Sequence, residues 1–311
     1  MDDTIGIKPL VDFHVHLEGD MTLEKAIKLS EMRNVKFGVV EHGGVGQPID
    51  GDDALKRYIE RLDGYPVYKG MQAEGLDWMS CFSTEVVVQL DYVLSDALTF
   101  PDTRGRRIRL WEPDVKIKDT QDFMDRYVDF NVSVISREPI DILANSTFIP
   151  YCISNEYDAV WTETRMKSVI DAAATHEVAI EINSRYRIPN ASFIQMAKKA
   201  GVRFSFGSNY HDDNIGRLDY CLEMVKALSS EEKRLLICVA LRELYGERLD
   251  KDVPLLDEQK TLFAFLVPPG ERFRLHLLEN PQLAEELKRR SQAPAKTRLS
   301  DLIQRLKTEY P

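Results

Sequence analysis

Between Leu10 and about Leu228 the chain alternates short β-branched runs with amphipathic helical stretches, which restricts it to repeated βα units around a parallel sheet or barrel. Strands are expected near 10–16, 36–41, 67–74, 91–95, 140–145, 178–183 and 202–208, with helices near 22–33, 52–63, 119–136, 162–176, 190–200 and 216–228. Thr22 is placed to cap the first helix, and Pro189-Asn190 and Gly201 frame the fifth. This many strands in so short a stretch suit one compact βα barrel better than two domains. The expected organisation is a barrel over residues 1–228 and a helical C-terminal region over 229–311, whose leucine-rich segments carry no ligand-like cluster and no assigned role.

A chain of 311 residues, 43% hydrophobic, can bury one large core or two smaller ones. No apolar run approaches the roughly 20 residues needed to span a bilayer, and the acidic start Met1-Asp2-Asp3 does not resemble a secretory signal, so no membrane partner and a cytoplasmic location are expected. Cys81, Cys152, Cys221 and Cys238 show no C-x-x-C spacing and read as reduced residues, leaving nitrogen and oxygen to hold any metal. A net charge of -10 argues against a nucleic-acid partner, and the basic run Arg104 to Arg109 is read as a solvated loop.

Chemistry concentrates in the histidines. The apolar run ending Asp12-Phe13-His14-Val15-His16 carries two imidazoles spaced i, i+2, which on a strand face the same way and can close on one metal ion. His42 and His211 follow two further apolar runs, so four of the six histidines stand at expected strand ends, where βα barrels build their sites. His176 and His276 are better explained as structural. Glu74 sits at another strand end as a candidate ligand. Glu181 and Asn183 share one face of a strand and fit either a pocket-facing or a ligand-orienting role. Arg185 and Arg187 follow them with planar, always charged forks suited to a phosphate or carboxylate. Glu18 and Asp20, just past the histidine pair, are candidates of lower rank.

Five short segments in order resemble the motifs of the PHP (polymerase and histidinol phosphatase) superfamily of metal-dependent phosphoesterases. They are Asp12-Phe13-His14-Val15-His16 for D-x-H-x-H, Val40-Glu41-His42-Gly43 for T-D-H-G and Gly70 to Glu74 for G-x-E. Glu181-Ile182-Asn183 stands for E-x-N, and Gly207-Ser208-Asn209-Tyr210-His211 for G-S-D-A-H. The resemblance implies an α/β fold, a seven-stranded (β/α)7 distorted TIM-like barrel of PHP type, here with a C-terminal helical extension. It also implies a phosphoric ester hydrolase with a multinuclear centre of zinc, manganese or iron, a metal-activated water and a small-molecule phosphoester substrate. Carried over, His14, His16, His42, Glu74 and His211 would be metal ligands, with Glu74 bridging and Glu74 and His211 in catalytic roles.

Departures from the family pattern bear on the metal count. Ala97 and Asn145 stand where the family often has histidines, and Asn209 replaces an aspartate, so the attraction for divalent ions is reduced and one or two ions are expected. Two other readings compete. His14-Val15-His16-Leu17-Glu18-Gly19 also resembles the H-x-H-L-x-G opening of adenosine-deaminase-like amidohydrolases, and the lost ligands suit a catalytically silent binding module.

Overall fold

The structure, a computed structural model, describes residues 10–102 and 105–227; the expected helical region 229–311 lies outside the described residues. Its elements run β1 (Leu10–His16), α1 (Leu23–Arg33), β2 (Val35–Val40), β3 (His42–Gly43), α2 (Asp52–Leu62), β4 (Tyr68–Ala73), α3 (Thr84–Val87), β5 (Tyr92–Ser95), β6 (Thr99–Pro101) and β7 (Arg107–Arg109). There follow α4 (Thr120–Arg137), β8 (Ile142–Leu143), α5 (Tyr157–Val160), α6 (Glu163–Thr175), β9 (Ala179–Asn183), α7 (Ala191–Lys199), β10 (Phe204–Gly207) and α8 (Asp219–Ala227). Seven parallel strands lie in the order β1-β2-β4-β5-β8-β9-β10, with short β3 added alongside β4. The result is the expected nearly closed βα barrel, and each of the seven strands falls within the segment the sequence marks for it or a residue from its edge.

Local rules account for the elements. Thr22 Oγ1 accepts the Lys25 N–H at 3.2 Å, and Asn34 ends α1 in the left-handed conformation with φ 52°. Helix α2 buries Leu55, Tyr58, Ile59 and Leu62, the i, i+3, i+4, i+7 stripe of a helix packed on a sheet. Burial of β2 on both faces matches its nearly continuous apolar sequence. Among the described residues, no helix is long and apolar enough to cross a membrane.

The seam between first and last strands is closed by side-chain chemistry. The buried Asp12 carboxylate accepts the backbone N–H groups of His14 (3.0 Å), Ser208 (2.8 Å) and Gly216 (2.9 Å), while Asn209 N donates to His14 O at 3.0 Å. Register slips between Asp12 and Val15, a bulge of the kind found beside active sites.

Two hydrophobic layers support this frame. One lies between strands and helices and includes Phe37, Phe193 and Phe204. The other is drawn mainly from strands and fills the barrel interior with Tyr92, Leu94 and Ile142, against which Phe13 and Tyr68 pack. Tyr92 reaches across to donate its hydroxyl to Phe13 O at 2.8 Å, passing over Gly38 and Gly70. A Cβ on either glycine would overlap the phenol ring or its oxygen, so the tyrosine and the two glycines specify one another.

Two details differ from the sequence reading. Only Ile142–Leu143 of the segment 140–145 is strand, because Asn145 turns the chain with φ 51°. Arg107–Arg109 of the basic run form β7 of the antiparallel hairpin β6–β7, with Arg106 on Asp102 (2.7 Å) and Arg107 on Asp77 (2.8 Å). Three-residue strands leave too little periodicity to read, and the ion pairs reach across the turn and to a distant loop.

Gly70→Ala is expected to destabilise the barrel by about 2 kcal/mol through overpacking against Tyr92. In a urea-denaturation cycle with Tyr92→Leu the two changes should couple strongly. Additive losses would show that the close approach does not limit packing.

Candidate metal centre

The barrel gathers its polar side chains at the carboxyl ends of the strands in two tiers. The upper tier is a stack of imidazoles. His16, buried at the end of β1, lies between His42 (ring centroids 4.9 Å, interplanar angle 17°) and His211 (4.8 Å, 10°), with His14 tilted beside it at 5.1 Å. His42 arrives on β3, whose register sets it opposite Gln72 on β4. Gly43 permits that approach, since a Cβ there would overlap Met71.

Two carboxylates orient this stack. Glu74 Oε1 bonds His42 Nδ1 at 2.9 Å, and Glu18 Oε2 bonds His211 Nδ1 at 2.9 Å, contacts that leave the Nε2 atom of each ring available. The ligating atoms of His16, Glu18 and His42 all lie within 4.8 Å of one another. Burial, reinforced by the neighbouring imidazoles, pushes the His16 pKa well below its ordinary value, so the ring keeps a free lone pair. Burial opposes protonation of His42 as well, but Glu74 holds its pKa above the ordinary value. Imidazoles and carboxylate are the donor types that zinc, manganese and iron take, and this set fits such an ion.

The lower tier is a closed hydrogen-bonded ring. His14 Nδ1 meets Glu181 Oε1 at 2.6 Å, and Glu181 Oε2 accepts from Asn183 Nδ2 at 3.0 Å. Asn183 Nδ2 also donates to Asn145 Oδ1 (2.9 Å), Asn145 Nδ2 to Asp96 Oδ2 (2.8 Å), and Gln72 Nε2 to the same Asp96 oxygen (3.2 Å). Gln72 Oε1 then meets His14 Nε2 at 3.1 Å and completes the circuit. Asn209 joins through its Nδ2, 3.2 Å from Asn145 Oδ1. All seven residues are buried.

The ring favours a protonated His14. An amide oxygen on one ring nitrogen and a carboxylate on the other both require a proton, so the side chain is best satisfied as an imidazolium. Burial alone would depress its pKa, but Glu181 outweighs that and the net direction is upward; Glu181 itself is lowered by His14 against the pull of burial. Gly207 makes the contact possible, because a Cβ there would collide with Glu181. Burial, with Glu74 nearby, pushes Asp96 up to about 7.

The candidates named by the sequence are therefore distributed. His16, His42 and His211 stack, with Glu74 on His42. His14, Asn145, Glu181, Asn183 and Asn209 belong to the lower ring. Arg185 stands exposed at the rim with Nη1 on Asn209 O at 3.1 Å. Arg187 is engaged elsewhere, paired with Glu223 at 2.6 Å and lying 4.7 Å over the Tyr220 ring, and Asp20 is exposed in the turn after β1. Gln72 and Asp96 are members that the sequence reading missed. Gln72 had a usable signal, standing two residues before Glu74 and so on the same strand face. Asp96 directly follows β5, whereas its neighbour Ala97, compared with a family ligand, is packed in the core.

No known protein-family model matches the sequence, and no curated protein matches it. Solved structures are similar in fold. The hisK protein of Listeria monocytogenes, designated a histidinol phosphatase, is 14% identical, with 67% of this chain and 97% of that chain covered and a TM-score of 0.51. Histidinol phosphate phosphatase from Lactococcus lactis subsp. lactis Il1403, solved with zinc, L-histidinol and phosphate, is 14% identical over 75% of this chain and 94% of that one, with a TM-score of 0.48. A chain in the cryo-EM structure of archaeal ribonuclease P with mature tRNA is 14% identical over 79% and 98%, with a TM-score of 0.38.

Glu181→Gln is expected to lower stability by about 3 kcal/mol, because it removes the charge that His14 is built to meet. Chemical denaturation measures this, and a loss within a few tenths of a kcal/mol would rule out a buried ion pair.

Proposed function

We propose that the chain is a metal-dependent hydrolase acting on a small-molecule phosphoester, with one divalent ion, zinc, manganese or iron, held by His16, Glu18 and His42 and flanked by His211. The observation that carries this reading is the convergence of these donor atoms within 4.8 Å at the barrel mouth. A divalent ion bound there supplies Lewis acidity, lowering the pKa of a water and neutralising phosphoryl charge. The residues themselves do the positioning. Glu74 fixes the His42 ring and Glu18 the His211 ring through Nδ1, and burial keeps His16 neutral. His211, half-buried beside the cluster, presents its Nε2 where it can exchange a proton with a substrate oxygen.

The lower tier argues for a single ion rather than two. Both ring nitrogens of His14 are occupied, Asn183 and Asn209 both donate to Asn145, and Gln72 bridges His14 and Asp96, so among the described residues no set of free anionic donors remains below the stack. The same completeness favours the second reading, a PHP-like barrel that binds a small anion without turnover. Likeness to the Listeria protein adds the fold and no more.

Metal analysis by plasma mass spectrometry, paired with a chromogenic phosphomonoester assay, tests this reading. About one ion per chain is expected in the wild type, with near-complete loss of both ion and activity in His16→Ala. Metal content unchanged by His16→Ala would sink the ligand set. Metal without turnover in the wild type would select the binding module.

A further inference from the structure

We propose that the hairpin β6–β7 is a strap for the candidate metal centre, in which Arg107 is a positioning residue that holds the loop after β4 and so keeps Glu74 on His42; this rests on the hydrolase reading above. The hairpin begins just after Asp96 of the lower ring. Asp96 Oδ1 accepts the Leu98 N–H at 3.0 Å, and Leu110 N donates to Leu98 O at 2.9 Å, which closes the root. Phe100 then pins β6 to α4, meeting Phe123 (5.6 Å), Tyr127 (5.7 Å) and Phe130 (5.6 Å) edge-on. A hairpin fixed at this end can restrain what its other strand touches.

What β7 touches is the loop leaving β4. That loop runs from Glu74 to Asp77 through Gly75, whose φ of 87° is a conformation that favours glycine and leaves a permissive joint beside the carboxylate. Glu74 is held from one side, where its N–H donates to Gly43 O at 2.9 Å, just past His42. From the other side comes Arg107. Its Nη2 bonds Asp77 Oδ1 at 2.8 Å, and a Cβ on Gly75 would stand only 3.0 Å from that same nitrogen. The guanidinium therefore lies close over the residue next to Glu74, and Glu74 Oε1 in turn bonds His42 Nδ1 at 2.9 Å.

The neighbouring arginines do not reach this loop. Arg106 pairs with Asp102, and Arg109 with Glu112 at 3.6 Å, so among the described residues of the basic run Arg107 is the one paired outside the segment 102–112. Its ion pair is half-exposed, and solvent and salt screen its direct worth to the fold. Its effect falls instead on the Gly75 joint and, through Glu74, on the orientation of a candidate ligand.

Zinc affinity of the full-length protein, measured by competition with a chromogenic chelator, tests the strap. Arg107→Gln and Asp77→Asn should each weaken zinc binding about threefold, and the double variant no further, because all three lose one contact. Arg107→Lys should recover part of the loss, and Lys167→Gln, whose partner Asp171 is on its own helix, should leave the affinity unchanged. Thermal midpoints should fall by no more than about 3 °C. Nitrogen NMR of the metal-free protein gives a second readout: the His42 ring signals should shift in Arg107→Gln and stay in place in Lys167→Gln. Unshifted His42 signals in Arg107→Gln would overturn the strap, as would additive zinc losses in the double variant or wild-type affinity in both single variants. A wild type that takes up no zinc would remove the hydrolase reading, and the metal-free His42 signals would then decide the strap alone.

Discussion

The Asp12 carboxylate carries the closure of the barrel. A parallel barrel must bring its first and last strands together, and here that meeting is made by three backbone N–H groups converging on one buried side chain. Removing such an acceptor would strand donors in a place water does not reach, each costing about 1–3 kcal/mol. The position of His14 and His16 depends on this seam, since the bulge that begins at Asp12 sets how β1 presents them. Asn209 and His211 depend on it from the other side, because the chain leaving β10 is tied to Asp12 and to His14 O.

Below the histidine stack, hydrogen bonding takes over the task that a cation performs in a metal centre. A buried cluster of polar groups is tolerated only when its charges and donors are matched. The lower ring meets that condition with His14, its pKa raised by Glu181 against burial, facing that carboxylate and with amides that donate on one side and accept on the other. Asp96 accepts from the Gln72 and Asn145 amides and the Leu98 N–H, yet burial, with Glu74 nearby, raises its pKa.

Much of the scaffold was legible because its signals are local. β2, with its Val-rich run, and α2, with its Leu55-Tyr58-Ile59-Leu62 stripe, announce themselves within a few residues. Thr22 and Asn190 cap the helices where the sequence marks starts. His16, His42 and His211 were legible as strand-end residues, and the stack they form follows from the strand order. The lower ring was not. His14 meets Gln72 across 58 residues and Glu181 across 167, and no spacing rule connects an amide on one strand to a carboxylate on another. A glutamine beside a glutamate reads as ordinary polarity until the barrel closes. The two rim arginines were likewise indistinguishable in sequence, and only the presence of Glu223 on α8 separates them.

The lower ring joins residues from β1, β4 and β9 with residues just past β5, β8 and β10 into one circuit, so the strands at the mouth are held by side chains whether or not anything is bound above. On the proposed function, maintenance of the frame and recognition of a ligand fall to different layers of the same barrel. For protein engineering this makes the upper layer a replaceable module. On the proposed function, donors at positions 16, 18, 42 and 211 could be exchanged to suit another ion or reaction, while the six-residue circuit beneath, with Asn209 attached to it, keeps the backbone in place.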